Sequence, residues 1–172
     1  NYSQKVLPES FGGLKSLVEI GVYGGQLEEL SQSIGNNHKR LVVLRVIGTK
    51  LTSLPDSVGN LQNLRYLLVY NNQLTSLPES VGNLHNLLGL YAWNNTLISL
   101  PETVGNMKSL FLVDLRHNRL PNLPSSTSQW TNIEYLYVAG NPLCGTLNIP
   151  SHLKGAKGLC DQKRMTVHPP LL

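Results

Sequence analysis

The sequence predicts a solenoid of the α/β type, made of short parallel strands joined through tight outer turns. A unit of 23 residues occurs three times in succession between Leu51 and Arg119, and such a fixed period is typical of repeat architectures. Apolar and polar residues alternate in the middle of each unit, which indicates a strand with one buried face. One unit buries about seven apolar side chains, worth roughly 14 kcal/mol, whereas ordering its residues costs about 1.5 kcal/mol for each one. Single units are therefore unstable alone, and neighbouring units must stack.

Each unit carries the pattern L-x-x-L-x-L-x-x-N-x-L, which resembles the signature of leucine-rich-repeat proteins. The pattern begins at Leu17, Leu41, Leu64, Leu87, Leu110 and Ile133. The spacing is 24 residues once and 23 residues thereafter, so the resemblance covers most of the chain. It implies an arc with about six parallel strands on the concave face. Short turns, 3-10 helices or other helical pieces would then lie on the convex side.

The asparagine of the motif is expected to stack into a ladder inside the solenoid. The ladder would comprise Asn72, Asn95, Asn118 and Asn141. Gly25 and Thr49 occupy this place in the first two copies. The short amides can bond backbone groups of a turn that would otherwise be unpaired in the interior. Removing one amide is expected to cost about 1–3 kcal/mol, because its backbone partners remain buried.

Prolines and glycines mark the outer half of each unit. The prolines that follow a leucine are expected to begin an extended return segment; they are Pro55, Pro78, Pro101 and Pro124. The glycines are expected at turn positions where a side chain would clash; they are Gly59, Gly82 and Gly105. Short pieces such as Glu79–Val81 are expected to form a helical turn on the outer side.

We expect a single leucine-rich-repeat domain over residues 1–172, with an N-terminal partial repeat (1–16), repeats (17–143) and a C-terminal cap and tail (144–172). The capping segment contains Cys144 and Cys160, with 15 residues between them. If bonded, they would close the open end of the solenoid and contribute about 3 kcal/mol through loop entropy. Two free buried thiols are an alternative. A zinc site with His152 and His168 is another, although the close C-x-x-C pair of structural zinc sites is missing.

Two segments imply different compartments. The stretch N-P-L-C-G around Cys144 is similar to the cap that ends many extracellular leucine-rich-repeat receptor domains. That resemblance implies a Cys144–Cys160 disulfide and an extracellular or secreted protein. The outer segment S-L-P-E-S-V-G-N-L resembles intracellular, Ras-associated scaffold repeats of the same length, which implies a cytoplasmic alternative. Asn94-Asn95-Thr96 is an N-glycosylation sequon, and a glycan there would obstruct the concave face.

In leucine-rich-repeat proteins, the third, fifth, seventh and eighth places of the motif line the concave face. Six of the seven tyrosines fall on these places, together with Trp93. The candidate partner-binding residues are Tyr23, Arg45, Tyr66, Tyr70, Tyr91, Trp93, Asp114, Arg116, His117, Tyr135 and Tyr137. Aromatic residues favour exposed strand faces in any case. Tyr, Trp and Arg are also the residues that anchor protein interfaces. An exposed apolar band indicates an interaction site that a partner covers.

The charge pattern argues against nucleic-acid binding. The formal net charge is +4, and the C-terminal part contributes most of it, with Lys154, Lys157, Lys163 and Arg164 against Asp161. About +1 remains for the rest, which is too little for a nucleic-acid footprint. No apolar run approaches the length of a membrane span.

A catalytic function is not expected. Asp114, Arg116 and His117 form a polar cluster, but no nucleophile lies on the same face, so a solvated patch that orients a partner is favoured. No cofactor or metal is predicted. The predicted function is a non-catalytic recognition module that binds a protein or peptide through the aromatic-rich concave surface, as an ectodomain or secreted protein. A cytosolic scaffold of the Ras-associated type is the alternative.

Overall fold

Each motif forms a strand, and the strands add in sequence order to one parallel sheet. The computed structural model describes residues 4–36, 39–146 and 149–161. Across these residues the sheet has seven strands, in the order β1 to β7. They are β1 (Glu19–Tyr23), β2 (Val43–Ile47), β3 (Tyr66–Leu68), β4 (Gly89–Tyr91), β5 (Leu112–Asp114), β6 (Tyr135–Tyr137) and β7 (Lys157–Leu159). The predicted solenoid class is confirmed.

Strand β7 was not predicted, because the capping segment lacks the spaced leucines of the motif. Lys157 and Leu159 pair in register with Tyr135 and Tyr137 of strand β6. The backbone N–H of Lys157 donates to the carbonyl of Glu134 at 2.8 Å. The cap therefore extends the same sheet as well as covering its end.

The convex side consists of one short 3-10 helix for each coil. These helices are Glu9–Gly13, Gln32–Gly35, Asp56–Asn60, Glu79–Asn83, Glu102–Asn106, Ser125–Gln129 and Ser151–Leu153. In the regular repeats a proline precedes the helix in an extended conformation, as Pro78 does with φ −67° and ψ 151°. The central valine of the helix, such as Val81, points into the core and is fully buried. Leucines of the strands fill the other half of that core.

The motif asparagines connect successive coils through their amides. Asn95 is buried, and its Oδ1 accepts from the backbone N–H of Leu74 at 3.0 Å. Its Nδ2 donates to the carbonyls of Val69 at 2.9 Å and Ala92 at 3.0 Å. Asn118 and Asn141 bond the equivalent backbone groups. The Nδ2 of Asn72 does so as well, but its Oδ1 accepts from the backbone N–H and the Oγ1 of Thr49 instead. Each amide thus satisfies backbone groups of two coils that would otherwise be unpaired in the interior.

A disulfide connects the two ends of the capping segment. Cys144 lies in a single helical turn, α1 (Pro142–Gly145), and is bonded to Cys160, which directly follows β7. The two Cα atoms are 5.8 Å apart. Among the described residues no group of three His, Cys, Asp or Glu side chains could hold a metal ion. His168 and the rest of the tail from residue 162 lie outside those residues. In the described ranges no helix is long and apolar enough to cross a membrane.

Candidate binding surface on the concave face

The register of the sheet arranges the outward side chains of the strands in three rows that run across the strands. The amino row contains Glu19, Val43, Tyr66, Gly89, Leu112, Tyr135 and Lys157. The central row contains Gly21, Arg45, Leu68, Tyr91, Asp114, Tyr137 and Leu159. The carboxyl row, two residues further along each chain segment, contains Tyr23, Ile47, Tyr70, Trp93 and Arg116. Because side chains alternate along a strand, all three rows lie opposite the leucine core.

Four of the predicted contact residues are buried, which corrects the expectation that they lie open to a partner. All four belong to the central row: Tyr91 is 2% exposed, Asp114 0%, Arg45 7% and Tyr137 7%. The cause is lateral packing, because outward side chains of neighbouring strands and rows pack against one another. Val43, Leu68, Tyr91, Leu112 and Tyr137 form a second apolar cluster, against which Val42, Ile47, Tyr66, Tyr70 and Tyr135 pack. The concave face therefore has a buried layer of its own.

Gly89 provides the space in which two of these rings lie. A Cβ atom at this position would be 2.8 Å from Cε2 of Tyr91 and 3.0 Å from Cδ1 of Tyr66. Both rings therefore lean over the glycine in strand β4, where any other residue would displace them. This local gap explains how a tyrosine of the central row reaches almost complete burial.

The charged residues of the face are paired within the chain. The guanidinium of Arg116 bonds both carboxylate oxygens of Asp114, with Nε to Oδ1 at 3.0 Å and a terminal nitrogen to Oδ2 at 2.8 Å. The hydrogen bond to Asp114 raises the pKa of Arg116. The same guanidinium lies 5.2 Å from the ring centroid of Tyr137, within reach of a cation–π interaction. Arg45 forms an ion pair with Glu19 at the other end of the sheet. Each buried charge is thus compensated, as burial requires.

Aromatic side chains that remain accessible lie in the two outer rows. Tyr23 is 61% exposed, whereas Tyr70 and Trp93 are half-buried and stack with ring centroids 4.7 Å apart. In the amino row, Tyr135 contacts Phe111 edge to face at 5.4 Å. The ammonium of Lys157 lies 5.1 Å from the centroid of the Tyr135 ring. These rings form an accessible border on both sides of the buried central row, interrupted in the amino row by the buried Gly89 and Leu112.

Sequence reasoning missed two residues at this border. Phe111 is 39% exposed and occupies the second place of the motif, which was not assigned to the concave face. An aromatic residue directly after a motif leucine was the sequence signal that could have indicated Phe111. Lys157 was missed because strand β7 was not predicted.

The rim of the face, directly after the carboxyl row, consists of residues in the left-handed conformation. Asn71, Asn94 and His117 have φ values of 56°, 52° and 54°. Asn and His tolerate this region better than most side chains do. The Nδ2 atom of Asn94 donates to Oδ1 of Asn71 at 2.8 Å, which links two neighbouring coils at the rim. His117 is exposed there, beyond the buried Asp114.

Alkaline pH is expected to destabilise the fold through the tyrosines of this face. Burial raises the pKa of Tyr91 above the ordinary value of 10.0, and it shifts Tyr70 and Tyr137 in the same direction. A raised folded-state pKa means that the neutral phenol stabilises the folded protein below about pH 10, and that this contribution is lost as the pH rises further. Urea unfolding between about pH 9 and 11 should show the loss. Tyr91→Phe should reduce it; an identical pH profile in that variant would contradict the assignment.

Comparison with known proteins agrees with this geometry. A family model described as a leucine-rich repeat region matches residues 36–110. No curated protein sequence matches the chain. A solved leucine-rich-repeat protein of Leptospira interrogans superimposes with a TM-score of 0.75 and 34% identity, over 81% of this chain and 35% of its own.

Two solved complexes are also similar to this chain. The plant peptide hormone receptor RGFR1 in complex with RGF2 has a TM-score of 0.75 and 29% identity, over 90% of this chain and 25% of its own. PEPR1 in complex with AtPEP1 has a TM-score of 0.69 and 26% identity, over 79% of this chain and 20% of its own. The chain therefore spans about a third or less of these neighbours. Its repeats, its sheet and these matches together show that the chain is a leucine-rich-repeat protein.

Proposed function

We propose that this chain is a non-catalytic recognition module that binds a protein or peptide partner on its concave face. The contact surface is the concave aromatic surface, which we define as Tyr23, Tyr66, Tyr70, Trp93 and Tyr135. The observation that carries the proposal is the accessible border of rings on a sheet face whose own buried layer holds it in place. Aromatic side chains with few rotatable bonds, held by packing, lose little entropy when a partner binds.

The paired charges of the face indicate what kind of contact it makes. Arg45, Asp114 and Arg116 are engaged within the chain, as is Lys157, whose ammonium is 2.6 Å from a carboxylate oxygen of Glu134. A partner that bound mainly by charge would have to break these ion pairs. Binding is therefore expected to depend on apolar and aromatic contact, and its affinity should change little with salt concentration.

The location that fits best is outside the cell, as an ectodomain or a secreted protein. The disulfide between Cys144 and Cys160 supports it, because such bonds persist in oxidising compartments. The similarity to RGFR1, solved with RGF2, and to PEPR1, solved with AtPEP1, supports a peptide or protein as partner. The cytosolic scaffold that the outer segments resemble remains the alternative, and the disulfide weighs against it.

A random peptide library displayed on phage, selected against the folded chain, tests the proposal. The selected peptides should lose at least tenfold in affinity, or about 1.4 kcal/mol, for Trp93→Ala and for the double variant Tyr66→Ala with Tyr135→Ala. A matched double variant on the convex side, His85→Ala with Lys108→Ala, should bind as the unchanged chain does. Circular dichroism would verify that each variant is folded. Peptides that lose affinity only for the convex variant would contradict the proposal.

A further inference from the structure

We propose that Asn94 carries an N-linked oligosaccharide at the rim of the concave face. This inference rests on the extracellular location within the proposed function. The sequon Asn94-Asn95-Thr96 is the only one within the described residues. Its acceptor is exposed, whereas the next residue, Asn95, is buried in the asparagine ladder. The two adjacent amides therefore have separate roles, one inside the solenoid and one outside it.

The amide of Asn94 is held in an orientation that accommodates a sugar. Its Nδ2 atom carries two hydrogens, and one of them is donated to Oδ1 of Asn71 at 2.8 Å. The left-handed backbone at Asn94, with φ of 52°, places the residue on the turn that leaves strand β4. Glycosylation replaces one Nδ2 hydrogen and leaves the other, so the amide keeps one donor at the rim after modification.

The chemistry requires a donor that the secretory pathway provides, an oligosaccharide linked to a lipid through a diphosphate. A bond forms between Nδ2 of Asn94 and the anomeric carbon of the first sugar, and the bond from that carbon to the diphosphate oxygen breaks. The lipid diphosphate leaves, and one Nδ2 proton passes to a base of the transferring enzyme. No electrons are exchanged with an oxidant or reductant.

The preceding coil offers a matched comparison. Asn71 occupies the same place, with φ of 56°, and is likewise followed by a ladder asparagine, Asn72. The next residue there is Gln73 where the fourth coil has Thr96, so Asn71 lacks a sequon. The Oγ1 of Thr96 also donates to the carbonyl of Leu74 at 3.1 Å. Two coils of almost identical geometry thus differ in the one hydroxyl group that glycosylation needs.

A glycan on Asn94 would restrict the directions from which a partner can approach the face. Asn94 directly follows Trp93, so the glycan would border the stacked pair of Tyr70 and Trp93 on its carboxyl side. The opposite edge of the face, with Tyr66 and Tyr135 of the amino row, stays open. The glycan would therefore limit approach across the carboxyl edge and leave the approach across the amino row open, from which a partner can still reach Trp93.

Secretion of the chain from cultured eukaryotic cells tests the inference. A Ser3→Ala background removes the second sequon, Asn1-Tyr2-Ser3, which lies outside the described residues. Intact mass should show one glycan that peptide N-glycosidase removes, with conversion of Asn94 to aspartate in the peptide map. Thr96→Ala should abolish the mass shift, and Thr96→Ser should retain it. Gln73→Thr should add a second glycan, on Asn71.

Two outcomes would overturn the inference. The first is that the chain is secreted with its disulfide formed but with Asn94 unmodified. The second is that the mass shift persists in the Thr96→Ala variant. Neither outcome bears on whether the face binds a partner, because the selected peptides can be measured on the same secreted sample. Loss of peptide binding in the secreted Thr96→Ala variant, where no glycan can hinder the carboxyl edge, would instead contradict the proposed function alone.

Discussion

Gly82→Ala is expected to lower the free energy of unfolding by about 3 kcal/mol, although it adds a single methyl group. The added Cβ would lie 2.4 Å from the backbone carbonyl oxygen of Thr103 in the next coil. A backbone atom cannot rotate away as the end of a side chain can, so the two coils would have to separate. Gly35, Gly59 and Gly105 have the same close approach to the coil that follows them.

Gly13→Ala is the matched control, because Gly13 also lies in a 3-10 helix on the convex side. No atom lies within 4 Å of a Cβ built at Gly13, so this change should alter stability by less than about 1 kcal/mol. Urea unfolding followed by circular dichroism measures both variants. Equal midpoints for Gly82→Ala and Gly13→Ala would show that the coils do not stack at the distance seen here.

Tyr91→Ala is also expected to lower the free energy of unfolding by about 3 kcal/mol, the usual cost of removing a buried aromatic ring. The sequence alone predicted that this ring contacts a partner. Its exposure of 2% and its position among Tyr66, Leu68 and Leu112 indicate a structural role instead. Removing it would open a cavity in the layer that supports the binding surface.

Trp93→Ala provides the contrast, since Trp93 is half-buried and its principal ring contact is the stack on Tyr70. Such a pair contributes about 0.5–1.5 kcal/mol beyond the area it buries, so the loss of stability should be clearly smaller. Thermal melts of the two variants distinguish the roles. A Tyr91→Ala variant with the same melting temperature as the unchanged chain would contradict the buried layer described here.

The sequence was sufficient to predict the repeating part of the fold. Asn95, Pro78 and Gly82 each serve a local backbone requirement that recurs in every unit, and such requirements follow from residue type and spacing. Alternation along a strand also predicted on which side of the sheet Tyr91 lies. These inferences need no knowledge of residues outside the unit or its immediate neighbours.

The accessibility of the face could not be predicted in the same way. Tyr91 is buried because Gly89 leaves room for its ring and because rings of other coils, distant in sequence, pack around it. Asp114 is buried with both carboxylate oxygens bonded by Arg116, whose guanidinium lies against the ring of Tyr137. Periodicity specifies a side of the sheet, whereas these contacts depend on the sizes of neighbours in adjacent strands. Strand β7 was missed since its residues carry no motif.

The accessibility of Trp93 during binding is the most direct test of the concave aromatic surface. The chain has two tryptophans, and Trp130→Phe removes the buried one, whose indole donates to the carbonyl of Val104. In that variant, acrylamide quenching of fluorescence reports on Trp93 alone, with and without a saturating peptide selected from the library. We expect the quenching constant to fall severalfold when the peptide binds, because the peptide covers the ring. An unchanged quenching constant at saturation would contradict the assignment of this surface as the binding site.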